Sequence, residues 1–163
     1  MKKIVIIGGG IAGVSAAAEL SQFAEVHVLE QESNLAYHAS GRSAASFIID
    51  YGNKTTRVLN KSSFKFLKEY KNGVLSDRGL MIISKKTDRL EFRKAAKDLG
   101  LSRIGLLEAR RKVPQINFSA VAFAAFRKDV YDIDTNQLIQ NFVKEAKKNG
   151  CKFIFNARVE NID

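Results

Sequence analysis

The sequence predicts an α/β fold in which a parallel sheet carries a helix directly after its first strand. Three observations support this prediction. The unbroken apolar run Ile4-Val5-Ile6-Ile7 is typical of a parallel strand that is buried on both faces. Glycines follow at once at Gly8, Gly10 and Gly13, in the spacing G-x-G-x-x-G. A second apolar strand then ends at Glu30.

Each part of this first unit has a physical role. Gly8 permits the tight turn after the strand, Gly10 lets the backbone approach a pyrophosphate, and Gly13 lets helix and strand pack closely. A helix predicted over residues 11–23 directs its N-terminal N–H groups and its dipole at the phosphates. The carboxylate of Glu30 can accept hydrogen bonds from ribose hydroxyls. We therefore predict an adenine-dinucleotide site, the alternative being a purely structural glycine turn.

The composition limits the class of protein. The 163 residues are 45% hydrophobic and 27% charged, as in globular proteins. No apolar run approaches the roughly 20 residues that span a bilayer. The single cysteine, Cys151, permits no internal disulfide and favours a reducing compartment, so the protein is predicted to be cytoplasmic, with peripheral membrane association left open. We expect Cys151 to be a small buried hydrophobe rather than a nucleophile.

The formal net charge of +10 could indicate a nucleic acid, a membrane or an anionic substrate as partner. The Lys and Arg residues are, however, dispersed over predicted helix faces, and Arg110-Arg111-Lys112 is the only tight cluster in the sequence. Dispersed charges of this kind ordinarily form solvated surfaces. The charge pattern therefore disfavours a nucleic acid as the partner.

A polar excursion over residues 31–40 separates the second strand from Gly41-Arg42-Ser43-Ala44-Ala45-Ser46. Small residues with Gly and Ser at a helix start suit close approach to a bulky ligand. Arg42 and Ser43 would then offer donors to phosphate or to the polar edges of a ring system. A plain capped helix is the alternative.

Periodicity and end signals predict seven further elements. Helices are expected over residues 62–71, 87–99, 106–112 and 134–149, and strands over residues 79–84, 120–126 and 152–155. Asp132 and Asp134 could form a paired carboxylate or metal site, but no His or Cys is near them. Loop ordering and helix capping are therefore the expected roles of these two residues.

A resemblance to the FAD-dependent D-amino-acid oxidase and dehydrogenase superfamily is carried by residues 8–13, Glu30, Tyr37-His38-Ala39-Ser40-Gly41-Arg42-Ser43-Ala44-Ala45 and Tyr51-Gly52. Asp132-Ile133-Asp134-Thr135 is similar to the stretch before the helix that returns to the FAD-binding domain in those proteins. The resemblance covers nearly the whole chain and is greatest to the D-arginine dehydrogenase-like and glycine oxidase-like members.

The resemblance implies non-covalently bound FAD, a small-molecule amine or amino acid as substrate (a D-amino acid above all), and oxidation of its C–N bond by hydride transfer. It leaves the electron acceptor open and assigns neither a catalytic residue nor a metal ligand. Tyr51 is implied as a substrate contact, against ordinary packing. His38 is implied as a structural or cofactor-edge residue rather than a catalytic base. The cofactor-binding residues that the motif and the resemblance imply are Gly8, Gly10, Ile11, Ala12, Gly13, Glu30, Gln31, Ala39, Ser40, Gly41, Arg42, Ser43, Ala44, Ala45, Ser46 and Val159.

The resemblance also implies a Rossmann-like FAD-binding domain in two parts, residues 1–55 and 131–163. The start of an α+β substrate domain, residues 56–130, is interleaved with it. The parallel sheet would be incomplete, with three strands and the strand at 152–155 beside the second. Because proteins of this family continue further, we expect this chain to be the N-terminal portion of a longer enzyme and to be inactive alone. The alternatives are a flavin- or nucleotide-binding domain of an RNA-modifying protein and an inactive remnant.

Overall fold

The computed structural model describes residues 2–162, which form two compact units, Met1–Ala45 with Ile133–Asp163 and Ser46–Asp132. The functional assignment of residues 1–55, 56–130 and 131–163 stays a prediction. Among the described residues, none of the helices is long and apolar enough to cross a membrane.

The elements in chain order are β1 (Lys3–Ile7), α1 (Ile11–Leu20), β2 (Glu25–Leu29), β3 (Ser46–Phe47), α2 (Lys54–Glu69), a 3₁₀ helix (Tyr70–Asn72), β4 (Leu75–Asp77), β5 (Leu80–Ser84), α3 (Arg89–Asp98), β6 (Ser102–Ile104), α4 (Leu106–Lys112), β7 (Phe123–Arg127), β8 (Tyr131–Ile133), α5 (Thr135–Lys148) and β9 (Lys152–Ile154).

The first unit is built on a parallel sheet with the order β1-β2-β9. The register places Val5 opposite His27, and His27 opposite Lys152. The predicted α/β fold and the predicted position of the last strand are therefore confirmed. Helix α1 contacts both β2 and α5, and its Val14 and Ala17 are fully buried. Small side chains on α1 let the two helices and the sheet approach closely.

The two faces of β1 differ in exposure. Val5 and Ile7 are 58% and 54% exposed, whereas Ile4 and Ile6 are half-buried. Successive side chains of a strand point to opposite faces, so α1 can cover only one of them. The prediction that β1 is buried on both faces is therefore wrong for the part of the chain that the structure describes.

The second unit contains two small sheets, with the orders β3-β8-β4 and β5-β7-β6. Strand β7 pairs antiparallel with both β5 and β6. Helix α3 packs on this sheet through Phe92, against Leu101 and Ala125, and helix α4 packs through Ala109, against Ala124. The predicted strands at 79–84 and 120–126 and the predicted helices at 87–99 and 106–112 correspond to β5, β7, α3 and α4.

The expectation of a helix start at Gly41 to Ser46 is wrong. The chain forms turns to Arg42, runs on without regular structure, and enters β3 at Ser46. Ala45 has a φ of 52°, which is the left-handed region and cannot continue a right-handed helix. The hydroxyl of Ser43 accepts a hydrogen bond from the N–H of Ala45 at 3.0 Å and so supplies a local alternative to helical bonding.

Helix α2 begins at Lys54, two turns before the predicted start at residue 62. Asn53 caps it, with its side-chain oxygen accepting from the Thr56 N–H at 2.9 Å. Val58 and Leu59 in the early turns are 56% and 61% exposed, so these turns carry no apolar periodicity toward a core.

The two aspartates before α5 have the roles expected of them. Asp134 is the N-cap of α5, and its Oδ1 accepts from the Gln137 N–H at 2.7 Å. Asp132 forms an ion pair with Arg78 at 2.6 Å. Helix capping is thus confirmed for Asp134. Asp132 lies in β8, and it orders a loop only through its ion pair with Arg78, which lies between β4 and β5. Cys151 is 6% exposed, and burial raises the pKa of its thiol, which agrees with a small buried hydrophobe.

Arg127, at the end of β7, binds three acceptors although its side chain is only 9% exposed. Its Nε and Nη2 donate to Asp129 at 2.9 and 2.6 Å, and its Nη1 donates to Asp50 at 2.6 Å. Nη1 also donates to the Leu99 carbonyl at 3.0 Å. The hydrogen bond to Asp129 raises the pKa of Arg127, and the hydrogen bond from Arg127 lowers the pKa of Asp129.

The lowered pKa of Asp129 predicts an acid-sensitive contribution to stability. Its carboxylate stabilises the fold above its unfolded pKa of 3.8, and this contribution is lost as the pH falls through the lower folded pKa. Urea unfolding between about pH 2 and 7 measures the free energy of unfolding, which should fall more steeply with acid in the wild type than in Arg127→Gln or Asp129→Asn. Asp98→Asn, at an exposed carboxylate of α3, is the control in which the free energy of unfolding should fall with pH as steeply as in the wild type. Equal slopes in all variants would contradict the prediction.

Candidate functional site

The turn between β1 and α1 forms hydrogen bonds with the end of β2 and the residue that follows it. Gly8 has a φ of 98°, a conformation that glycine adopts without strain, and its N–H donates to the Leu29 carbonyl at 2.8 Å. The N–H of Gly9 donates to the Glu30 carboxylate at 2.7 Å. The glycine turn is therefore held against the carboxyl end of β2.

Two of the motif glycines meet different surroundings. A Cβ on Gly13 would collide with the backbone carbonyl oxygen of Gly8 and would lie 3.4 Å from a methyl group of Ile6. A Cβ on Gly10 would meet only the hydroxyl of Ser40, at 3.2 Å. Gly13 is thus required by packing within the protein, whereas Gly10 faces space that the protein leaves open.

Glu30 is 7% exposed, and both of its carboxylate oxygens accept backbone N–H groups. Oε2 accepts from Gly9 at 2.7 Å, and Oε1 accepts from Glu32 at 3.0 Å. A carboxylate oxygen has two lone pairs, so each can accept one further hydrogen bond. The residue therefore both fixes the glycine turn and keeps acceptor capacity for a ligand.

A cavity of about 320 Å³ runs from the glycine turn to Glu30. Seven of the predicted cofactor-binding residues line it: Gly8, Gly10, Glu30, Gln31, Ala39, Ser40 and Val159. Six lining residues were absent from that set: Ile7, Leu29, Ala36, Tyr37, His38 and Ala157. Of these, His38 had been expected at the cofactor edge or in a structural role. Ile7 and Leu29 could have been found, because they are the last residues of the two strands that carry the motif.

Ser40 lies between this cavity and a second one of about 290 Å³ in the same unit. Its Oγ accepts from the Ile11 N–H at the start of α1, at 2.9 Å. Ile11 and Ser43 line the second cavity together with Leu138 and Ile139 of α5. The remaining predicted residues line neither cavity: Ala12, Gly13, Gly41, Arg42, Ala44 and Ala45 in this unit, and Ser46 and Tyr51 in the other.

Tyr37 and His38 line the first cavity, and Arg42 packs against Tyr37. His38 forms a hydrogen bond with Glu32 at 2.8 Å, and Tyr37 meets its ring edge-on at 5.1 Å between centroids. The Arg42 guanidinium lies 5.2 Å from the centroid of the Tyr37 ring. Arg42, which was expected to offer donors to phosphate or to the polar edges of a ring system, packs on an aromatic face. Among residues 2–162, no group of three or more His, Cys, Asp or Glu is arranged to hold a metal ion.

Comparison with known proteins finds one family and a set of related folds. A family sequence model described as FAD dependent oxidoreductase matches residues 3–163. L-proline dehydrogenase from P. horikoshii has 22% identity and a TM-score of 0.74, over 98% of this chain and 45% of that chain. L-alpha-glycerophosphate oxidase from Mycoplasma pneumoniae, solved with FAD bound, has 18% identity and a TM-score of 0.76, over 99% of this chain and 47% of that chain. Glycine oxidase from Bacillus cereus has 21% identity and a TM-score of 0.71, over 99% of this chain and 49% of that chain.

This chain therefore shares the fold of these three enzymes along nearly all of its own length. It spans less than half the length of each of them, with 45%, 47% and 49% of their chains covered. The predicted Rossmann-like α/β fold is confirmed by this likeness and by the parallel sheet.

Proposed function

Because this chain belongs to the FAD dependent oxidoreductase family, we propose that it carries the adenine-dinucleotide part of the cofactor site of an amine- or amino-acid-oxidising enzyme. The observation that supports this most directly is the 320 Å³ cavity, which joins the glycine turn to the buried Glu30. A dinucleotide needs a phosphate-binding turn and a ribose-binding acceptor at the two ends of one groove. This cavity offers both.

The residues around the cavity fit FAD. Gly10 leaves room for the pyrophosphate beside the start of α1, where the helix dipole favours negative charge. Both oxygens of Glu30 keep a lone pair for ribose hydroxyls, and Val159 would line the adenine end. When bound, the flavin supplies the two-electron oxidising chemistry.

The proposed reaction converts a C–N single bond to C=N. The carbon would lose a hydrogen with its electron pair, which is the two-electron oxidation that a bound flavin would supply, and the nitrogen would lose a proton to solvent. An amine substrate is supported by the names of similar structures, among them L-proline dehydrogenase, glycine oxidase and L-amino acid deaminase. A D-amino acid is favoured by the resemblance of residues 37–45, and Tyr51, which is 58% exposed, is proposed as a substrate contact.

The test is anaerobic reduction of the full-length, FAD-loaded protein. We expect the purified protein to be yellow, and at least one amino acid from a panel of matched D- and L-enantiomers to bleach the flavin absorbance. Glycerol phosphate is included in the panel because one similar structure is a glycerophosphate oxidase. Bleaching by that alcohol alone would overturn the amine assignment, and a full-length protein that takes up no FAD would overturn the whole proposal.

A further inference from the structure

The second unit contains a cavity that the proposed function does not use. It has a volume of about 270 Å³, and its walls come from α3, β6 and β7. The residues that line it are Arg89, Phe92, Arg93, Ala96, Lys97, Leu101, Arg103 and Phe123. Four of these eight residues are cations and none is a carboxylate.

The fold brings these cations together from two elements. Arg89, Arg93 and Lys97 are spaced four residues apart on α3, so they share one face of the helix. Arg103 is added from β6, and its guanidinium lies 5.3 Å from the centroid of the Phe123 ring. Among residues 2–162, none of the four cations has a carboxylate within 4.0 Å.

The base of this cavity is apolar and belongs to the core of the unit. Phe92 and Phe123 stack with their centroids 5.5 Å apart, and Phe92 is only 7% exposed. Leu101, also buried, packs with Phe92 in the same cluster. The acidic residues of α3, Glu91 and Asp98, do not line the cavity. Four unpaired cations thus surround a fixed apolar base.

We propose that this cavity binds a small organic polyanion with a flat apolar part. A nucleoside polyphosphate has both features and is the proposed class of ligand. Successive cations along α3 are separated by a rise of about 6 Å, which suits a ligand with two or more anionic groups. Arginine binds phosphate oxygens in a fork, and its guanidinium stacks on rings. The base formed by Phe92 and Leu101 offers an apolar surface to the rest of the ligand.

This inference is independent of the proposed function, because the cavity lies in the unit Ser46–Asp132, whereas the glycine turn and Glu30 lie in the other. It also adds to the interpretation of the basic charge. The sequence pattern indicated dispersed, solvated cations on helix faces, and the four cations are exposed. The pairing of β6 with β7 brings Arg103 beside the cations of α3, which the sequence pattern did not indicate.

The test is isothermal titration of the FAD-saturated full-length protein with uridine triphosphate and, separately, with inorganic tripolyphosphate. FAD saturation keeps the nucleotide probe out of the cofactor cavity. We expect uridine triphosphate to bind at a single site and more tightly than tripolyphosphate. The double variant Arg93→Gln/Lys97→Gln should weaken its binding about tenfold or more, because two charge-assisted contacts are lost.

A matched control removes the same charge elsewhere. Lys65 and Lys94 are exposed helical residues that do not line the cavity, and Lys65→Gln/Lys94→Gln should change the affinity by less than about twofold at about 0.15 M salt. Glutamine keeps helix propensity, so both double variants should fold, and circular dichroism melts check this. Should the first variant unfold, Arg103→Gln replaces it, with Lys94→Gln as its single-charge control. The expected loss is then smaller, about threefold or more, because one charge-assisted contact is lost instead of two.

Three results would overturn the proposal. The first is that neither probe binds at millimolar concentration. The second is that the two double variants weaken binding equally, which would indicate diffuse attraction to a basic surface. The third is a single-stranded oligonucleotide that binds far more tightly than uridine triphosphate and with a steep salt dependence, which indicates a nucleic-acid surface instead.

Discussion

Gly13→Ala is expected to destabilise the protein by about 3 kcal/mol and to abolish its retention of FAD. The added Cβ would collide with the Gly8 carbonyl oxygen, which belongs to the backbone and is held in the turn by the Gly8 N–H bond to Leu29. A flexible side chain could move away, but this turn can move only if β1, α1 and β2 separate. Urea unfolding and the flavin content of the purified variant measure the two effects.

Substitutions at two other glycines distinguish an effect on packing from an effect on FAD binding. Gly105 has no atom within 4 Å of an added Cβ, so Gly105→Ala meets no collision and should leave flavin content unchanged. Because Gly105 is the N-cap of α4, where alanine is less favourable than glycine, it should lower the free energy of unfolding by no more than about 1 kcal/mol. Gly10→Ala meets only the Ser40 hydroxyl at 3.2 Å and should keep most of the stability, yet it should lower FAD affinity because Gly10 lines the cavity. An unfolding free energy of Gly13→Ala within about 1 kcal/mol of the wild type would show that the turn adapts.

The core of the dinucleotide unit was predictable because its signals are local. The apolar run, the glycine spacing and the helix that follows occupy one continuous stretch, and β1, α1 and β2 form where the pattern placed them. The position of β9 followed from the family resemblance. The short strands β3, β4, β6 and β8 have two or three residues each, too few for a period of two to be visible.

Two residues that line the 320 Å³ cavity, Ala36 and Ala157, were not predictable from the local sequence pattern. Ala36 reaches it through its N–H bond to the Gly9 carbonyl at 3.1 Å, and Ala157 through its N–H bond to the Glu30 carbonyl at 2.9 Å. Both are small residues in irregular segments, and each is held by a backbone partner that is distant in sequence. Ala36 also has a φ of 58°, which no alanine propensity indicates. Side-chain chemistry gives no signal for contacts that only the backbone makes.

Glu30→Gln is expected to weaken FAD binding by roughly 2 kcal/mol, which corresponds to about a thirtyfold loss of affinity. Two causes add. The carboxylate that we propose as the ribose acceptor loses its charge, and the amide nitrogen must face one of the two backbone N–H groups, of Gly9 or Glu32, that the carboxylate now accepts. The second cause also loosens the glycine turn. Titration of the deflavinated full-length protein with FAD measures the loss.

Glu32→Gln is the matched control for the Glu30 variant. It removes the same charge two residues away, from a carboxylate that pairs with His38 and does not line the cavity. FAD affinity should therefore change little in Glu32→Gln. If instead both variants bind FAD as tightly as the wild type does, Glu30 is not the ribose acceptor, and its buried carboxylate serves only to hold the turn. If both lose affinity equally, the effect is one of net charge near the cavity rather than of hydrogen bonding at Glu30.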